Sequence, residues 1–185
     1  MFAEFSTSPL STASITSLES LLNPPAAIEP LQKFLRFQID STQSMLLPVE
    51  EIAAVQTLHI LDILPVPQMS ACILGMSNWR GEALWLVDLS QQLGFKAIAQ
   101  QADRVTTLSA IVIQSGRKSL GLIVREIDEI EEYNLDNLVI PSPDLFPQSI
   151  SPFIKGYFTH DRSVVLSGAA ILQDPALHVH HLNSL

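Results

Sequence analysis

Between residues 34 and 172 short apolar runs alternate with turn-forming residues. Phe34-Leu35-Arg36-Phe37-Gln38-Ile39 alternates, Asp40-Ser41-Thr42-Gln43 supplies a turn, and an apolar run resumes from Met45 to Val49. Leu108 to Ile113, the turn Ser115-Gly116-Arg117-Lys118, and Leu120 to Val124 repeat that layout. Runs of this length bounded by turn chemistry predict β-hairpins. Helical signals are brief: Asp88 to Leu93, stopped by Gly94, and Ala169 to Gln173, stopped before Pro175. Many short strands with few helices predict a mainly β fold of small barrels or a sandwich. Residues 1–32, rich in Ser, Thr and Pro, read as a flexible tail. Within it Leu18, Leu21 and Leu22 can form one amphipathic turn before Pro24-Pro25. Residues 177–185 read as a second tail.

The pattern occurs twice. Met45 to Val55 lines up with Leu120 to Ile130: in both, an apolar strand runs into a Glu-Ile pair, with an apolar residue three positions on. Ile73-Leu74-Gly75 lines up with Ile154-Lys155-Gly156, and Leu86-Val87-Asp88-Leu89 with Val165-Leu166-Ser167-Gly168. The order is the same in both halves, which predicts a duplication and two similar β units packed on each other.

The centre of the chain, Ile73 to Leu89, reads as strand, tight turn, strand and helix start. Asn78 and Gly81 bracket the turn, where positive φ and side-chain-to-backbone bonding are accommodated. Asp88 is placed to cap the helix that follows. An ordinary capped hairpin accounts for Gly81 and Asp88. It does not account for Arg80, the only cation in the stretch, between Trp79 and Trp85. Arginine and aromatic residues are the types enriched at interface hot spots.

Composition changes the picture in two ways. Of 185 residues, 47% are hydrophobic and only 16% charged, below the roughly 25% typical of soluble domains. That scarcity of charge favours a protein that covers its surface with partners. The balance of 19 Asp+Glu against 10 Lys+Arg, a net charge of -9, excludes a phosphate-neutralising nucleic-acid binder and a polybasic membrane anchor. No apolar run is long enough for a membrane span and the start lacks a secretory leader, so the expected compartment is the cytoplasm. A single cysteine excludes an intramolecular disulfide.

Catalytic and metal chemistry leave little trace. There is no Gly-rich phosphate loop and no nucleophile elbow. Cys72 could serve as a nucleophile with His59 or His160 as base, but its setting, Ser70-Ala71-Cys72-Ile73-Leu74, suits a small buried hydrophobe. His178, His180 and His181 could capture a metal, but they lie in the tail without a nearby cysteine. The acidic run Glu126, Asp128, Glu129, Glu131 and Glu132 lacks the spacing of a calcium loop. It reads as a strand edge facing water, or else as a docking face for a basic partner.

The ordered motifs resemble the CheW-like domain family, the adaptor module of bacterial chemotaxis arrays. The resemblance runs from about Lys33 to about Pro175, giving a domain over 33–176. It rests on the opening strand, Val49-Glu50-Glu51-Ile52, Gly75 with Asn78-Trp79-Arg80-Gly81 and Leu86-Val87-Asp88-Leu89, Gly121-Leu122-Ile123-Val124, and Ile154-Lys155-Gly156. It implies two small five-stranded, SH3-like β-barrels around a shared core, with no catalytic activity, cofactor or metal. It implies an adaptor that joins a CheA-type histidine kinase, through that kinase's own CheW-like regulatory domain, to the tip of methyl-accepting receptors. Such a protein would sit at membrane receptor arrays through its partners, without inserting in the membrane or binding nucleic acid. Arg80, Asn78, Trp79, Gly81, Trp85, Ile52 and Val55 fall in the implied interaction region. Gly75, Asp88, Gly121 and Gly156 fall in its structural motifs. This chain departs from the family pattern at Ala54, Arg125, Ser167 and Trp79. Such divergence is similar to adaptors of pilus-based motility or phototaxis. An alternative is a CheW-like protein that binds the kinase without receptor contact and tunes array assembly.

Overall fold

The computed structural model describes residues 30–101 and 106–177. The tail readings for 1–29 and 178–185, including Leu18, Leu21, Leu22 and the three histidines, lie outside the described residues.

The Asp40 carboxylate turns the chain back on itself: Oδ1 accepts from the Thr42 and Gln43 amides, at 2.7 and 2.8 Å. This joins β1 (Leu31–Gln38) to β2 (Ser44–Pro48) as an antiparallel hairpin. β1 begins at Leu31, so Leu31 and Gln32 are strand residues. The 3-10 turn Val49–Glu51 leads into β3 (Ile52–His59). β4 (Ile73–Trp79) and β5 (Glu82–Asp88) form the central hairpin, and α1 (Leu89–Gln92) follows. The second half contributes β6 (Thr107–Ser115), β7 (Lys118–Val124), β8 (Glu126–Asn134), β9 (Leu138–Val139), β10 (Ile154–Phe158), β11 (Val164–Leu166) and α2 (Gly168–Leu172).

These strands make two sheets, in the order β8-β1-β2-β11-β10-β9 and β3-β6-β7-β5-β4. The mainly β fold is as expected, with the two-residue β9 as a sixth strand in the first sheet. The halves, however, are not separate units packed side by side. The first sheet takes β1 and β2 from the first half and the rest from the second. The second sheet takes β6 and β7 from the second half and the rest from the first. The seams are the parallel pairs β11–β2 and β5–β7 and the antiparallel pairs β1–β8 and β3–β6.

The duplication extends to local detail. In β4–β5 the register shifts by one residue between Ile73 and Gly75; in β10–β11 it shifts between Ile154 and Gly156. At both bulges a preceding segment crosses close above the glycine. A Cβ on Gly75 would lie 2.2 Å from the Leu64 carbonyl oxygen, and one on Gly156 would lie 2.7 Å from the Leu138 side chain. The Asp88 amide donates to the Cys72 carbonyl just as the matching Ser167 amide donates to that of Phe153, both at 2.8 Å.

Alternation along the strands divides the interior into three. Leu35, Phe37, Met45 and Leu47 of the first sheet meet Val87, Ile111, Ile113, Leu120 and Leu122 of the second in a shared core. On the other face of the second sheet, Leu84, Leu86, Ala110, Val112 and Ile123 fill its own barrel. On the other face of the first sheet, Phe34, Leu46, Tyr133, Phe158 and Val165 do the same. The central strands are thus buried on both faces, which is why they read as nearly continuous apolar runs. Gly121 is the interior position of β7 where a Cβ would strike Leu86, at 2.6 Å.

Candidate functional site: the central hairpin and its groove

The β4–β5 turn consists of Arg80 and Gly81, with φ of 55° and 85°. Positive φ at both positions is the two-residue hairpin geometry that matches strand twist. The Asn78 Oδ1 accepts from the Gly81 amide at 3.2 Å, so Asn78 and Gly81 act together as the sequence predicts. A non-glycine residue at φ 55° is uncommon, and it puts the Arg80 side chain at the hairpin tip. The guanidinium carbon lies 4.7 Å from the centre of the Trp79 ring. That cation–π contact holds an exposed cation over a half-buried aromatic surface.

The two tryptophans are not one cluster. Trp85 pairs with Met76 across the hairpin, and Trp79 with Glu82. Trp79 therefore packs toward the interior of the second barrel, while Trp85 packs toward the shared core. With a two-residue turn, cross-strand partners share a face, and Trp79 has odd spacing from Met76.

Trp85 instead lines a groove of about 450 Å³. Its apolar wall is Ile73, Trp85, Val87 and Leu120 on one side and Leu172 and Leu177 on the other. Arg117 and Lys118, from the β6–β7 turn, and Glu82 stand at its edge. β5 and β7 are parallel with Trp85 opposite Leu120, so the turn carrying Arg117 lies at the same end of the sheet as Arg80. Three cations therefore gather at one end of a chain that is otherwise poor in them.

Ile52 and Val55 lie on β3, the opposite edge of that sheet in hydrogen-bonding order. Ile52 is half-buried against the shared core, whereas Val55 is 50% exposed. The register shift between Ile52 and Ala54 brings Ile52 and Val55 onto one face of the sheet, opposite Ile113 and Ile111.

Asp88 is 1% exposed. Its Oδ1 accepts from the Gln91 amide at 3.1 Å and its Oδ2 from the Ile98 amide at 2.7 Å. Burial pushes its carboxyl above the usual range, and these amide bonds partly offset that. Asp88 thus fixes the base of β5 and the start of α1. In the second half Ser167 caps α2, accepting from the Ala170 amide at 3.2 Å.

Cys72 is buried, its sulfur 3.5 Å from the Ser70 hydroxyl. Burial pushes its thiol up, away from the thiolate a nucleophile requires. Its place is in the shared core. Among the described residues no group of three or more His, Cys, Asp or Glu is arranged to hold a metal, and no helix is long and apolar enough to cross a membrane.

The acidic strand differs from its sequence reading at one residue. Glu126, Asp128, Glu129 and Glu132 are exposed, but β8 shifts register between Ile127 and Ile130, turning Glu131 inward. Glu131 Oε1 and Oε2 accept from Arg36 Nε and Nη2 at 2.5 and 2.8 Å. Arg36 also donates to Asp161 at 3.1 Å, to Ser163 at 3.0 Å, and to Tyr133. The Tyr133 hydroxyl is 2.6 Å from both carboxylates. Hydrogen bonds from Arg36 hold Glu131 below its usual range. Burial would raise Asp161, but bonds from Ser163, Tyr133 and Arg36 outweigh it and hold it well below the carboxylate range. This network sits against the first sheet's own core, which Tyr133 joins. Sequence reasoning misses this network, because Arg36 is seen to face inward only once the register of β1 against its neighbours is known.

The fold thus sets an exposed arginine hairpin beside a groove with apolar walls. Comparison with known proteins places it: residues 33–176 match the CheW-like domain, and the chain belongs to that family. Over 100 residues it is 30% identical to a protein described as probable chemotaxis protein CheW of Rhizobium etli, covering 54% of this chain and 61% of the relative. Over 92 residues it is 33% identical to chemotaxis protein CheW of Rhizobium meliloti, covering 50% and 56%. Each match thus spans less than two thirds of the relative's length. The fold is similar to that of the scaffolding protein TtCheW from Thermoanaerobacter tengcongensis, with a TM-score of 0.62 at 19% identity, over 74% of this chain and 88% of that one.

Proposed function

We propose that this chain is a non-enzymatic adaptor of a chemotaxis-type signalling assembly, linking a CheA-type histidine kinase to methyl-accepting receptors. The observation that carries the reading is the groove beside Trp85. It is lined by Ile73, Trp85, Val87, Leu120, Leu172 and Leu177, with two cations, Arg117 and Lys118, and one acid, Glu82, at its edge. An amphipathic helix with acidic flanks matches both features. Arg80, presented on Trp79 at the hairpin tip, and Val55, exposed on β3, are the further contact residues. Family membership and the names of the relatives support the same reading. The assembly is expected in the cytoplasm, at membrane arrays that the receptors anchor.

The test is a titration of the purified full chain against the cognate kinase's regulatory domain and, separately, against a receptor-tip fragment. Both should bind. Arg80→Ala should weaken kinase binding by about fivefold or more, with unchanged circular dichroism. Binding to neither partner would refute the proposal. Kinase binding without receptor binding would favour the alternative, an adaptor that tunes array assembly.

A further inference from the structure

α2 cannot hold its own start. It has five residues, and the first amides of so short a helix need acceptors from outside it. At the start of its counterpart α1 stands a carboxylate, Asp88, which accepts from the Gln91 amide while its other oxygen holds the Ile98 amide beyond the helix. At the matching position the second half has Ser167, whose hydroxyl serves the Ala170 amide.

The missing carboxylate comes from the other half of the chain. Glu51 Oε2 accepts from the Gly168 amide at 2.6 Å, across 117 residues of sequence. Its Oε1 lies 3.9 Å from the Lys155 ammonium. A Cβ on residue 168 would stand 2.7 Å from the Glu51 oxygen, so a side chain there would have to push the Glu51 carboxylate aside. Glu50 bonds elsewhere, to Gln32. Glu51 ends the turn before β3, and α2 carries Leu172, which with Leu177 forms the groove wall opposite Trp85.

We propose that Glu51 is a positioning residue for the groove: it supplies to α2, from the other half, the carboxylate that Asp88 supplies to α1, and so sets the place of the Leu172 wall. The inference rests on the docking role of the groove for its functional meaning, but its geometry is measurable without any partner.

The chain has two tryptophans, so Trp79→Phe leaves Trp85 as the sole reporter of the groove. In that background Glu51→Ala should increase acrylamide quenching of Trp85. Amide exchange within α2 should become about fivefold faster, the effect of losing a helix cap. Adding Ser167→Asp, which recreates the arrangement of the first half, should return both readings toward the parent. Unchanged quenching and exchange in Glu51→Ala would overturn the proposal, as would failure of Ser167→Asp to restore them. Should Glu51→Ala not fold, Ser167→Asp must recover folding, and failure to do so overturns the proposal equally. In the chain that retains Trp79, receptor-tip affinity should fall by about the same factor and recover with Ser167→Asp. A parent chain that binds no receptor tip would remove the docking role while leaving the Trp85 result to decide the positioning.

Discussion

At the residue scale, the charges that matter are those turned inward. Arg36 retains 19% of its side-chain exposure, and its partners Glu131 and Asp161 retain 28% and 29%. Arg36→Met should lower the unfolding free energy at neutral pH by about 2 kcal/mol, less than for a fully buried pair because solvent screens it. Both carboxylates are depressed in the fold, so their contribution is complete above the unfolded values of about 4. It fades as pH falls below that and is lost only when the folded carboxylates protonate. Urea denaturation across pH should show this acid limb in the parent and a flatter one in Arg36→Met; parallel limbs would contradict the assignment. Nothing local announces such an arginine, since a charge in a strand reads as a solvent-facing position until the pairing register is known. Asp88 was legible, because an acid between an apolar strand and a short polar run has few other uses.

At the element scale, the turn of the central hairpin is legible in the sequence, whereas the faces its two tryptophans take are set by strand parity. Asn78 and Gly81 are local chemistry, and local chemistry survives folding. Trp79 and Trp85 pack on opposite faces because a two-residue turn fixes their parity. The glycines separate two kinds of constraint. Gly81 has open space around it and φ of 85°, so Gly81→Ala meets only backbone strain of about 1–2 kcal/mol. Gly75, at φ 141°, lies under the Leu64 backbone, so Gly75→Ala must also displace that segment. Thermal melts should rank Gly75→Ala well below Gly81→Ala, and equal midpoints would contradict the close crossing.

At the scale of the whole molecule, the repeat was visible in the sequence and its use was not. Aligned motifs reveal that two halves are alike; they carry no sign of which half a strand pairs with. The low charge content also has a second source. Strands β1, β2, β5, β6 and β7 are buried on both faces, so charge is scarce partly because so little strand surface is free for it. Since each sheet draws on both halves, neither half expressed alone should show a cooperative unfolding transition, whereas the two mixed should regain the strand signal. A first half that melts cooperatively by itself would contradict the exchange of strands.

The interleaving also bears on how the protein responds to dilution. Two copies of a single half, trading strands in this way, would be a swapped dimer whose folded fraction falls as its concentration falls. Joining the halves in one chain replaces that bimolecular encounter with an intramolecular one, so the effective concentration of one half around the other is set by their covalent connection and not by expression level.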